Sequence, residues 1–68
     1  MRKRLTIKTK RDVRILVFGA TDKVTESYIN HEKVDNMKGL DFNNVLKMCV
    51  KDVEERRILS FEMDVLFT

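Results

Sequence analysis

The chain has one cysteine, one histidine, no proline, no tryptophan and only two glycines in 68 residues. A lone cysteine closes no internal disulfide, and one histidine beside one cysteine cannot complete a protein zinc site. Long apolar runs are missing too. The longest, Ile15 to Ala20, is six residues, far short of the roughly eighteen that mark a membrane span. Disulfide scaffolds, zinc fingers, membrane anchors and large cofactor-binding folds are therefore excluded as expectations, and no cofactor or small-molecule substrate is expected.

What is present is 43% hydrophobic and 37% charged, too apolar for a disordered chain. The length predicts one small domain across residues 1–68. A basic start followed by Ile15–Ala20 has the outline of a secretory signal. Its apolar core is too short, however, and Arg14 and Asp22 bracket it closely. A free thiol fits a reducing compartment, so a cytoplasmic location is expected.

The net charge of +3 is unevenly spread. Residues 1–14 hold seven cations (Arg2, Lys3, Arg4, Lys8, Lys10, Arg11 and Arg14) against one anion, Asp12. The remainder carries an excess of acid. Such asymmetry points either to a polyanion-binding segment or to a basic strand paired internally with an acidic one.

Periodicity locates the elements. Phe42, Val45, Leu46, Cys49, Val50 and Val53 form one stripe at helical spacing, which predicts a helix over 42–57. Asp41 is placed to cap it, Leu40 and Val45 to staple it, and Arg56 and Arg57 to close its last turn. Leu59, Phe61, Met63, Val65 and Phe67 alternate with Ser60, Glu62, Asp64 and Leu66, the pattern of a half-covered strand. Leu5, Ile7 and Thr9 share parity with Val13, Ile15 and Val17, so a hairpin with a three-residue loop at Lys10-Arg11-Asp12 would bring all of them to one core. Val24–Ile29 is rich in strand formers and reads as a third strand. His31–Gly39 reads as a polar connection with Gly39 as its turn residue.

The expected fold is α+β, a small antiparallel or mixed sheet of about four strands in the order β-β-β-α-β, with one amphipathic helix on its odd face. On that register Leu16 and Phe18, with Leu66, lie on the open face, and an exposed apolar patch often marks an association surface.

Arg14-Ile-Leu-Val-Phe-Gly-Ala-Thr21 resembles the first strand and turn of Rossmann-type short-chain reductases over about eight residues. Asp22 and Thr25 occupy positions where that fingerprint needs glycine for backbone to approach a pyrophosphate, and the chain is too short for a doubly wound fold. Gly19 is read as a strand-end turn. Arg4-Leu-Thr-Ile-Lys8 resembles the strand of ribbon–helix–helix repressors, in which a helix follows directly. Here a second strand follows.

His31 and Cys49 are the only base and soft nucleophile available as a pair, but Cys49 falls on the apolar stripe and His31 in a polar loop. Glu54-Glu55 and Glu62/Asp64 read as solvated charge. No residue group has the pattern of a catalytic site, so no enzymatic activity is expected. The leading expectation is a non-enzymatic protein-interaction module, a small regulator or inhibitor of the kind that phage and mobile elements encode. It would bind a larger protein or form a homodimer through Leu16, Phe18, Arg14, Glu62, Asp64 and Leu66, with Arg4 and Lys8 on the rim. The alternative is a nucleic-acid-binding protein using Arg2, Lys3, Arg4, Lys8, Lys10, Arg11 and Arg14 against phosphates. No aromatic residue before Phe18 interleaves those cations to stack bases.

Overall fold

A computed structural model of the chain describes residues 2–66. Strands β1 (Arg2–Lys8), β2 (Val13–Phe18), β3 (Val24–Ile29) and β4 (Glu32–Val34) precede one helix, α1 (Phe42–Glu54), and β5 (Ser60–Leu66) follows it. The strands form one antiparallel sheet in the order β4-β3-β2-β1-β5. The α+β class and the helix-on-sheet arrangement agree with the sequence reading. The fifth strand is the short β4, which lies inside the segment expected to be a polar connection. His31 is part of the tight Asn30-His31 turn that joins β3 to β4, with φ of 51° and 72°. Two successive left-handed residues give a two-residue hairpin the twist that its strands require. Asn30 supports the turn further, since its side-chain Oδ1 accepts from the Val13 backbone N–H at 3.0 Å. Phe67, the last position of the expected C-terminal strand, lies outside the described residues.

The β1–β2 register departs from expectation, with consequences for every face assignment. Leu5 stands opposite Leu16 and Lys3 opposite Phe18, so the tip holds only Lys10 and Arg11. Thr9 decides this. Its backbone N–H donates to the Asp12 carbonyl at 2.9 Å, while its hydroxyl donates to Asp12 Oδ1 at 2.8 Å. The same hydroxyl oxygen accepts from the N–H groups of Arg11 and Asp12 at 3.1 and 2.9 Å. One side chain thereby satisfies the tip's backbone donors at a two-residue spacing. A slip of one residue exchanges the faces of a strand. Leu16 and Phe18, expected on the open face, turn under the helix and are buried, while Ile15 and Val17, expected in the core, turn to the open face.

This turn yields a pH prediction. The Thr9 hydroxyl holds the Asp12 carboxyl below its ordinary value, against an opposing effect of burial and with help from Arg14. A depressed folded-state pKa contributes stability that is complete above the unfolded value of roughly 4 and is lost as pH falls through the folded one. Asp12→Asn should therefore flatten the dependence of urea midpoint on pH below about pH 4. An unchanged acid slope would contradict it.

The helix begins where expected: the Asp41 carboxylate accepts from the Asn43 N–H at 3.1 Å. It ends at Glu54, three residues before the predicted end. Arg56 adopts φ 61°, its N–H reaches the Val53 carbonyl at 3.1 Å, and the Arg57 N–H reaches the Asp52 carbonyl at 2.8 Å. Those paired bonds are a Schellman closure, which caps the last carbonyls and turns the chain back. Arg56 and Arg57 thus lie beyond the helix.

The core is a single cluster under α1: Leu5, Ile7, Leu16, Phe18 and Val24 from the sheet, Phe42, Val45 and Cys49 from the helix, and Ile58 after it. Phe18 and Phe42 meet edge to face, with centroids 5.0 Å apart. The segment before the helix is anchored to β3. The Gly39 N–H donates to the Val24 carbonyl, and the Val24 N–H to that of Leu40, both at 2.9 Å. Gly39 has φ 88°, a conformation that glycine adopts without penalty. The helix start is thus seated against Phe18, and its other end reaches the Thr9–Asp12 turn, where Asp52 and Ile58 share a cleft with Thr9 and Asp12.

Candidate interaction surface

The open face carries Arg2, Arg4, Thr6 and Lys8 from β1, and Val13, Ile15 and Val17 from β2. Glu26 and Tyr28 come from β3, Lys33 from β4, and Glu62, Asp64 and Leu66 from β5. Its apolar centre is therefore Ile15 and Val17, not Leu16 and Phe18. That centre is well shielded: Val17 is 7% exposed and Ile15 only partly exposed. Long polar neighbours cover it with their stems. Arg4 Nη2 donates to Asp64 Oδ2 at 3.2 Å, and the Tyr28 hydroxyl donates to Glu26 Oε2 at 3.1 Å. That bond raises the Tyr28 pKa, with smaller contributions from burial and from the Glu26 charge.

The helix side of β5 is different. Phe61, Met63 and Val65 stand opposite Ile7, Leu5 and Lys3 on the covered face of the sheet. Yet Met63 is 46% exposed, Val65 is exposed as well, and Phe61 is half-buried. The cause is the placement of α1. Its buried residues are Phe42, Val45 and Cys49. Met48 and Asp52, on one flank, line a space shared with Ser27, Ile29 and Val34 of β3 and β4. The opposite flank, Leu46, Val50 and Val53, is consequently turned toward β1 and β5. Val50 and Val53 are exposed there, as is Leu59 just before β5. Of the exposed large hydrophobic residues, five (Val50, Val53, Leu59, Met63 and Val65) belong to this region. β5 is also a sheet edge seven residues long.

The structure distributes the predicted site residues over several surfaces. Glu62, Asp64 and Leu66 share the open face beside Arg4. Arg14 is on the helix side of β2, where its Nε donates to Asp12 Oδ1 at 3.2 Å. Leu16 and Phe18 are in the core. The basic residues do not form one surface either. Lys3 is on the helix side, its Nζ 3.0 Å from Asp22 Oδ1 and 4.5 Å from the Phe42 ring centroid. Arg2, Arg4 and Lys8 are on the open face, and Lys10 and Arg11 are at the turn. Lys3, Arg4 and Arg14 are each engaged in an ion pair, but only Arg4–Asp64 joins the basic strand to an acidic one, since Asp22 and Asp12 lie in turns.

Sequence reasoning missed the flank. The helical stripe from Val45 to Val50 spans about 140° of arc, and a helix resting on a sheet buries less than that. The excess width was the available signal that part of the stripe lies beside the sheet contact.

His31 and Cys49 are not brought together. Cys49 faces the sheet from α1, next to a space of about 170 Å³ between helix and sheet. Burial, and secondarily the Asp52 charge, push its thiol pKa up, away from the reactive thiolate. His31 borders the open face, on the other side of the sheet. Among the described residues no group of three or more His, Cys, Asp or Glu side chains is arranged to hold a metal ion. No described helix is long and apolar enough to cross a membrane. Comparison with protein-family models, with curated proteins and with solved structures found no match.

Proposed function

We propose that this chain is a non-enzymatic protein-interaction module, a small regulator or inhibitor of the type that phage and mobile elements encode, whose contact surface is the β5 edge and the adjoining flank of α1. The observation that carries this reading is that Val50, Val53, Leu59, Met63 and Val65, all exposed, belong to the β5 edge and the helix flank beside it, on the face of the sheet that α1 covers elsewhere. Contiguous apolar surface beside unpaired strand edge is where a partner gains most from burial and backbone pairing together. Relative to the expectation from sequence, the surface moves from the middle of the sheet to its margin, because Leu16 and Phe18 belong to the core.

The nucleic-acid alternative rests on Arg2, Lys8, Lys10 and Arg11, which form no ion pair among the described residues. They are divided between the open face and the turn. The test uses tagged chain for affinity capture from the cells that encode it, comparing wild type, Met63→Lys and Lys47→Glu. A lysine on the inner row of an edge strand blocks both apolar contact and edge pairing, whereas Lys47 is exposed on the outer side of α1, turned away from the sheet. The expected result is a captured protein lost with Met63→Lys and kept with Lys47→Glu. Equal capture by all three would remove the reading. Capture of nucleic acid that disappears between 50 and 200 mM salt, roughly the range over which phosphate contacts weaken steeply, would install the alternative.

A further inference from the structure

The β5 edge has a charge pattern as well as an apolar row, and the two together describe an occupant. We infer that β5 accepts an extended segment of a partner protein in which apolar residues alternate with lysine or arginine, added as a sixth strand. This rests on the interaction reading above and names the chemistry of what that surface takes.

The first support is the inner edge of the same strand. β5 pairs there with β1, placing Leu5 opposite Met63 and Ile7 opposite Phe61 on the helix side, and Arg4 opposite Asp64 and Thr6 opposite Glu62 on the open side. Side chains stand upright between neighbouring strands, so each β5 side chain is available to a strand on either edge. An added strand in a matching register would lay apolar residues against Phe61, Met63 and Val65, and cations against Glu62 and Asp64. The second support is unspent charge. Asp64 is bound by Arg4 yet remains half-exposed. Glu62 is exposed and has no cationic partner within ion-pair distance among the described residues. The third is what the edge lacks. Natural edges are blunted by short length, proline, a bulge, or charged side chains, above all ones that point inward. β5 is seven residues long, has no proline and pairs with β1 without a register shift; its charges, Glu62 and Asp64, are on the open side, and its inner row is Phe61, Met63 and Val65. Strand addition of this kind takes affinity from backbone bonds and specificity from alternate side chains.

A second copy of the chain fits this edge less well in the register that pairs β5 over its whole length. Antiparallel self-pairing centred on Met63 keeps both helices on one side, but sets Glu62 of each copy against Asp64 of the other. Like charges directly opposite are destabilising.

The probe is a fluorescently labelled, end-blocked peptide of sequence Arg-Lys-Arg-Leu-Lys-Ile-Lys, the pattern that the inner edge already takes with lysine in place of its threonine so that a cation faces Glu62, titrated onto the full chain by anisotropy. Binding should be saturable and weakened about tenfold by Glu62→Lys, since exchanging an opposite-charge for a like-charge pair costs of the order of 1.4 kcal/mol, or a factor of ten. It should be lost with Met63→Lys and with a peptide N-methylated at alternate amides on the edge-facing side. Glu62 and Met63 are exposed, so both variants should retain the wild-type far-UV dichroism. Equal affinity for a peptide with glutamate in place of its cations would overturn the charge preference while the interaction reading stood. Undiminished binding of the N-methylated peptide would overturn strand addition. A dimer that is lost with Met63→Lys and excludes the peptide would assign the edge to a second copy instead. Failure of the peptide to bind, with capture still sensitive to Met63→Lys, would sink this inference alone; insensitivity in both assays would sink the reading beneath it as well.

Discussion

Replacing Phe18 with alanine is expected to leave most of the chain unfolded at 25 °C. Phe18 is fully buried, and its ring meets Phe42 edge to face at 5.0 Å. Removing a buried phenylalanine costs about 3–5 kcal/mol in lost transfer energy and residual cavity. An aromatic pair of this geometry adds about 0.5–1.5 kcal/mol beyond area burial. A single core of this size rarely supplies more than about 3–5 kcal/mol in total, so the loss is comparable to the whole. The Phe18–Phe42 contact also seats the first turn of α1 on β2, which means that the helix should lose its hold when the sheet does. Far-UV dichroism and a urea titration would read this directly. A cooperative transition within about 1 kcal/mol of wild type would show that Phe18 is a surface residue, as the odd-face register supposed.

The second large effect separates two adjacent residues. Leu16→Asn should abolish cooperative folding, whereas Ile15→Asn should leave a folded protein with a modestly lower midpoint. Leu16 is 2% exposed and lies beneath α1 opposite Leu5. An amide there would lose the burial of leucine, worth about 1.5–3 kcal/mol. It would be buried between Leu5 and Ser27, whose hydroxyl already donates to the Val34 carbonyl, and an amide left short of partners costs about 1–3 kcal/mol more. Ile15 is on the open face between Thr6 and Tyr28, where water satisfies a polar group. A difference of at least about 2 kcal/mol between the variants is expected on those figures. Parallel chemical denaturation of the two measures it. The reverse order of stabilities would restore the three-residue loop and put the apolar centre of the open face back at Leu16 and Phe18.

Both experiments turn on the Thr9–Asp12 tip, which was the least legible part of the sequence. Alternation in β1 and in β2 was plain, and each strand was recognisable alone. Their relative parity was not, because Val13, Ile15 and Val17 are as apolar as Leu16 and Phe18 and either set could be the buried one. Nothing in the side-chain pattern breaks that tie. The threonine hydroxyl does, by bonding at once to the Asp12 carboxylate and to two backbone N–H groups. The β4 strand escaped for a related reason. Asn30 and His31 adopt left-handed conformations that glycine would have announced.

The candidate surface divides in the same manner. Glu62 and Asp64 were legible as the charged side of the last strand, and pairing of the basic strand with an acidic one as the alternative to phosphate contacts; that Arg4 takes Asp64 is seen only in the structure. The apolar flank was not, since Val50, Val53, Met63 and Val65 all carry the pattern of core residues, and only the position of α1 leaves them uncovered.

By itself, then, the sequence determined the α+β class, the capped helix from Phe42, the strand that follows it, and that the basic start would meet either an internal acidic strand or an external polyanion. These follow from local periodicity and from charges that must meet somewhere. Tertiary structure alone decided which face of β2 is buried, where the helix stops, and which strand is left at the sheet's edge with its apolar row exposed. Those outcomes depend on how separate elements fit over one another. A helix about 10 Å wide cannot cover five strands spaced about 4.8 Å apart, and what it leaves bare is set by where it is anchored.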